Sequence, residues 1–224
     1  ARVDEYFPAV DPNKLLANQD NPDRVFSTEV LAGIYVKDRA DIHSNYFSSE
    51  QAGNNYLHPR KNFVNMSLFA GETQDYRFQA WWRTASNESE GGYDFIKYEE
   101  IAQPAEKGET EYFYAVFMSL IRLSEVYYIA AESEPVLADK YAWLNKYGER
   151  RGLGVLTVIS EDDFMKRLRT EYLREFMGEG QIFFMYKRLY ATIASDENGN
   201  DANAYEPREE RYVLPLPSGE IANR

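Results

Sequence analysis

The 224-residue chain sets 37 acidic side chains against 25 Lys and Arg, for a formal charge of −12 and a pI near 4.8. Nucleic acid and anionic membranes require clustered cations facing phosphate, so this balance excludes both as partners and favours neutral ligands. Zero cysteine excludes disulfides, thiolate metal sites and cysteine nucleophiles, and no apolar run approaches the roughly 18 residues that span a bilayer.

The apolar fraction of 44% suits one sizeable core, while the aromatic fraction of 15%, with 18 Tyr, is generous for an acidic chain. Aromatic rings fill cores and also make amphipathic contact surfaces, of which sugar stacking is one use. The opening Ala1-Arg2-Val3-Asp4-Glu5-Tyr6 carries no signal-peptide apolar segment, which leaves an intracellular protein or one whose export signal has been removed. Residues 1–25 hold Pro8, Pro12 and Pro22 among Asp and Asn and read as irregular, with a short helix near Lys14 to Asn18. Ser27 to Val36 reads as a short buried element, and Asp38 to Arg60 as a polar, aromatic loop with Tyr46, Phe47 and Tyr56. His43 and His58 fall in that loop with no carboxylate or serine at motif spacing, and read as exposed loop residues with no catalytic or metal role.

From Phe63 to Lys97 the composition is strand-like. Phe63 to Phe69 and Tyr76 to Trp82 form two runs, and the polar turn Thr84 to Gly92 predicts a hairpin to Tyr93–Tyr98. In a strand, Trp81 and Trp82 point to opposite sides, one to the core and one toward the surface. Asn87-Glu88-Ser89 spells a sequon and reads as turn composition. Phe113 to Glu132 then predicts a strong helix, and Val136 to Arg150 a second one with Leu137, Tyr141 and Leu144 at helical spacing. Joined by Ser133-Glu134-Pro135, they make a helical hairpin of tetratricopeptide length, and Ala130-Ala131 permits close approach.

A third helix is capped by Ser160 with Asp163 three residues on, and should stop at Gly178. Leu168, Tyr172 and Phe176 share one of its faces, while Glu171, Glu175 and Glu179 lie close to another. An aromatic helix from Gln181 to Ile193 follows the Gly178/Gly180 break. Asp196, Asn198 and Asn200 imitate the start of a calcium loop, but Gly199 is misplaced and the twelfth-position glutamate is missing, so no metal is assigned. The tail Tyr212 to Asn223, with Leu214-Pro215-Leu216-Pro217, should run extended and pack back on the helices. The fold class is mainly α: tetratricopeptide-like hairpins in residues 111–224, and an irregular, loop-rich, short-strand region in residues 1–110, together forming one domain.

Four segments, in order, resemble the SusD/RagB family of outer-membrane nutrient-binding lipoproteins. They are Arg122-Leu123-Ser124-Glu125-Val126-Tyr127; Leu144-Asn145 with Arg150-Arg151-Gly152; Glu171, Glu175-Phe176 and Glu179-Gly180-Gln181 with Phe184 and Arg188; and Leu214-Pro215-Leu216-Pro217 with Glu220-Ile221 and Asn223. Asp75-x-Arg77 and Lys97-Tyr98 are weaker echoes upstream. The resemblance implies a SusD-like fold of helix pairs that binds glycans or other small nutrients without catalysis and without a cofactor. It also implies a SusC-like TonB-dependent transporter as partner and a place on the outer-membrane surface of a Gram-negative bacterium. The anchor would be a lipid on an amino-terminal cysteine that, with the family's earlier helical repeats, lies outside this sequence.

Under that reading the ligand-facing candidates are Trp81, Trp82 and Arg83, with Tyr93 and Asp94 across the turn, since binding residues concentrate on loops. Arg122, Glu125, Glu171, Glu175, Glu179 and Arg188 would form a structural network. Two rival readings stand beside this one. A glycosidase could employ Glu175 with Glu179, or Glu171 with Glu175, because helical neighbours four apart meet either of the carboxylate separations such enzymes use. Arginines in reach, among Arg150, Arg151, Arg174 and Arg188, would hold those acids ionised, which is poor for a general acid. A tetratricopeptide-like scaffold for protein partners is the other.

Overall fold

The computed structural model describes residues 3–17, 21–51, 56–59, 62–85, 92–101, 112–193 and 208–213. Its first part is built from short pieces: α1 (Val3–Tyr6), a π-helical turn at Asn13–Ala17, a 3-10 turn at Ser27–Glu29, and β1 (Val30–Tyr35). Next come α2 (Arg39–Ile42), π-helical turns at His43–Phe47 and Phe63–Leu68, then α3 (Tyr76–Trp81), which runs directly into β2 (Trp82–Thr84). The predicted hairpin forms between β2 and β3 (Tyr93–Phe95), in antiparallel register Trp82↔Phe95, Arg83↔Asp94 and Thr84↔Tyr93. After a 3-10 turn at Phe113–Ala115 and β4 (Phe117–Arg122), the chain is helical: α4 (Leu123–Ser133), α5 (Leu137–Glu149), α6 (Glu161–Phe176), α7 (Ile182–Leu189) and the short α8 (Glu209–Tyr212). Among the described residues the architecture is mainly α with two small two-stranded ribbons.

Three expectations from the sequence are corrected. The run predicted as one helix from Phe113 opens instead with the 3-10 turn and continues as β4, which pairs with β1 in a ladder including Ile34↔Met118 and Tyr35↔Phe117. An apolar run of this length carries no periodicity that separates strand from helix, and its partner lies more than 80 residues upstream. The ribbon also needs Gly33, since a Cβ there would sit 2.1 Å from the Phe117 ring. Far from being a buried element, β1 leaves Leu31, Ile34 and Tyr35 exposed, and the ladder joins residues on either side of position 110. Second, Phe63–Leu68 and Tyr76–Trp81 are helical rather than extended. Asp75 caps α3 by accepting a hydrogen bond from the Arg77 backbone N–H at 2.9 Å, so the Asp-x-Arg sequence starts a helix. Third, His43 is buried, whereas His58 is exposed as expected.

The α4–α5 hairpin forms across Pro135, and the Ser160 hydroxyl caps α6 by accepting from the Asp163 N–H at 3.1 Å. α6 ends at Phe176, and Gly178 turns the chain with φ near 76°, where a Cβ would lie 2.7 Å from the Phe95 ring. α7 stops at Leu189, short of Ile193, because Tyr190 adopts a left-handed conformation. Two cores result. One lies among the helices around Tyr128, Leu144, Tyr147, Phe164 and Leu168; the other gathers Phe26, Phe69, Trp81, Trp82, Phe95 and Tyr98 from the first part. α6 serves both, since its Phe164, Leu168 and Phe176 enter the first core while Leu173 packs against the second. No helix among the described residues is long and apolar enough to cross a membrane. The Asn87 sequon, the Asp196–Asn200 segment and the Leu214–Asn223 motif lie outside the described residues.

Candidate functional site

Glu171 and Glu175 stand one turn apart on α6, and both point into the seam between the two cores. Arg77 reaches Glu171 at 2.7 Å, its own cap residue Asp75 at 2.6 Å and Glu175 at 3.2 Å. Arg151 bridges Glu175 at 3.1 Å and Glu29 at 2.7 Å. Arg122 pairs with Glu179 at 2.9 Å and donates to the Glu175 carbonyl at 2.7 Å, while Lys97 closes on Glu179. Arg174 adds a contact to Glu171 at 3.2 Å. Burial alone would push both helix carboxyls upward, but the arginines prevail. Glu171 is held at about 2 by Arg77, Arg174 and Arg167, and Glu175 is held well below the carboxylate range by Arg151, Arg122 and Arg77. Burial, with the neighbouring Arg122 charge, lowers the Lys97 ammonium to about 8. Carboxylates locked ionised and sealed from solvent cannot donate a proton to a glycosidic oxygen.

Two residues grouped with this corner by sequence lie elsewhere. Arg188 pairs with Glu132 on the surface, and Glu125, whose carboxyl burial raises, lines a groove between α4 and α7. Conversely, the corner recruits Glu29, Arg77 and Lys97. The Asp75-x-Arg77 and Lys97-Tyr98 echoes mark two of these; Glu29 carries no local signal, since its partner Arg151 is 122 residues away.

The hairpin residues divide sharply. Trp81 is 0% exposed: its indole N–H donates to the Arg24 carbonyl at 2.7 Å, its ring stacks on Phe26 at 4.7 Å, and the Lys97 ammonium sits 3.8 Å from its centroid. Trp82 is also buried, against Phe95 at 5.0 Å. Neither offers a ring face to a sugar, because a helix-to-strand junction between them, unlike a continuous strand, turns both inward. Tyr93 is half-buried with its ring edge-on to Phe78.

Arg83 and Asp94, directly opposite in the hairpin, open instead onto a polar cleft of about 620 Å³, closed on its far side by His43, Ser49 and Gln51 and rimmed by Glu99 and Glu100. The Arg83 side chain is half-exposed and pairs with Glu99 at 2.8 Å, and Arg24 holds the other Glu99 oxygen at 3.2 Å. Ser49 donates its hydroxyl to Asp94 Oδ2 at 2.8 Å. Asp94 Oδ1 and His43 Nε2, on residues only 4% and 8% exposed, are buried with no hydrogen-bond partner among the described residues. Burial lowers the His43 pKa and keeps the ring neutral, so it has one donor and one acceptor to give. The volume lies in the range of small-ligand sites, and the unspent polar groups are what such a site needs to orient a ligand. Among the described residues no three His, Asp or Glu side chains converge as metal ligands.

A model of the SusD family matches residues 69–224. The chain belongs to the SusD family. Comparisons with curated proteins and with solved structures gave no match. The SusD match embraces the whole α3–β3 hairpin and the acid–arginine corner, apart from Glu29. It begins after His43 and Ser49, so one wall of the cleft lies within the matched span and the other precedes it. Membership suggests, in general terms, a non-catalytic role in binding glycans or other nutrients.

Proposed function

We propose that this chain is a cell-surface glycan- or nutrient-binding protein that works with a TonB-dependent outer-membrane transporter, and that its ligand occupies the cleft between His43 and Asp94. The family match over residues 69–224 carries the proposal. The transporter partnership, the lipid anchor and the outer-membrane location come from the same membership. The cleft supports the place of binding: a carboxylate, a neutral imidazole, a serine hydroxyl and a guanidinium converge where sugar hydroxyls could replace water as partners. The non-catalytic reading is supported by the corner, whose acids are the strongest candidates for a hydrolytic pair and are committed to arginines.

Calorimetric titration with a panel of oligosaccharides tests it. Asp94→Ala should weaken the bound sugar about tenfold or more, the scale of a lost charge-assisted hydrogen bond, and Arg83→Ala should change its affinity by releasing Glu99 into the cleft. The Arg83 variant should leave the unfolding midpoint nearly unchanged, because its side chain is half in solvent. Release of reducing ends from any bound glycan by the purified protein would overturn the non-catalytic role. Unchanged affinity in both variants would move the site elsewhere.

A further inference from the structure

The charge lining the cleft names a ligand class, provided the cleft is the binding site. Glu50, Asp94, Glu99 and Glu100 contribute four carboxylates, and among the described residues Arg83 is the one lining cation, with Arg24 behind it on Glu99. That guanidinium is already engaged by Glu99, and the buried imidazole of His43 adds no positive charge. Asp94 is the decisive residue. It is almost wholly buried, one oxygen is satisfied by Ser49, and the other has no partner among the described residues. A buried carboxylate with unused accepting capacity calls for a donor, and a cationic donor most strongly. The surrounding field has the same sign, since the whole chain carries −12. An acidic sugar would enter with its carboxylate or sulfate among four like charges, and the cation that lines the cleft among the described residues is already held by Glu99.

We infer that the cleft selects a saccharide bearing a protonated amine, and discriminates against uronates and sulfated sugars. Two oligomers with one backbone isolate the effect: the β-1,4-linked glucosamine tetramer and its fully N-acetylated counterpart, titrated at low ionic strength and at a pH that keeps the amines protonated. The free-amine tetramer should bind about tenfold tighter, as expected for one charge pair in a partly enclosed site. Tri-galacturonate should not bind. Asp94→Asn keeps the shape and the Ser49 contact, and Glu100→Gln alters an exposed side chain, so both should fold; each should shrink the preference toward parity. Equal or tighter binding of the acetylated or galacturonate oligomer, lost in the Arg83→Ala variant, would overturn the amine preference while leaving the cleft a glycan site. A lysine tripeptide binding as tightly as the tetramer would overturn the saccharide assignment. A preference untouched by both charge-removing variants would overturn its location, and no binding by any saccharide would overturn the cleft reading itself.

Discussion

The corner and the cleft are both rich in carboxylates, and they differ in what faces those carboxylates. In the corner, Asp75, Glu29, Glu171, Glu175 and Glu179 are matched by Arg77, Arg122, Arg151, Arg174 and Lys97, all buried or nearly so. In the cleft, among the described residues, four carboxylates meet Arg83 and, at Glu99 only, Arg24, and Glu50 and Glu100 stand exposed to water. A carboxylate wedged between arginines is a strut whose desolvation cost is offset only while each partner stays in place. A carboxylate short of cations and open on one side has binding capacity to spare. Acid content alone therefore separates nothing; the supply of cations and the access of water decide which acids hold the fold and which meet a ligand.

The comparison is broken most directly by Glu175→Gln. The amide keeps the shape and removes the charge that Arg151, Arg122 and Arg77 share, leaving buried guanidinium groups undercompensated. The expected loss is about 3–5 kcal/mol by urea denaturation, with affinity for any cleft ligand unchanged in the folded fraction. A loss of affinity at unchanged stability would make the corner a binding site instead.

Acid should undo the same corner without a mutation. Glu171 is held at about 2 when folded against an ordinary value of 4.5, so its stabilisation is complete above 4.5 and drains away as the pH falls toward 2. That difference amounts to about 3 kcal/mol from this residue. Urea midpoints measured from neutrality downward should drop most steeply below pH 4.5. A Glu171→Gln variant, less stable at neutral pH, should show a shallower drop; identical slopes would remove Glu171 from the network.

The helical half was legible because its information is local. Ser160 with Asp163, the spacing of Leu137, Tyr141 and Leu144, and Gly178 each act within a few residues, and α5, α6 and the α6–α7 bend form as those signals predict. β4 was not legible, since it becomes a strand only by meeting β1. The corner was half legible: Glu171, Glu175 and Glu179 stand out by helical spacing, but Arg77 comes from the first turn of α3 and Glu29 from a 3-10 turn, both distant in sequence. In the cleft, Arg83 and Asp94 emerge from the hairpin pattern, whereas His43 and Ser49 reach them through a π-helical turn that composition disguises as loop. The aromatic signal misled, because Trp81 and Trp82 read as surface candidates only if the segment is a strand.

The smallest expected effect sharpens the contrast from the cleft side. Ser49→Ala removes the one hydrogen-bond partner that Asp94 Oδ2 has among the described residues, the same kind of deletion that is costly in the corner. Here water can take the vacated place beside a part-buried pair, so the loss should stay below about 1 kcal/mol by urea denaturation. Affinity for an amine-bearing sugar should hold or rise, because a second carboxylate oxygen becomes available to it. A loss as large as that of Glu175→Gln would mean that Asp94 is a strut after all, and that the cleft is sealed by the same logic as the corner.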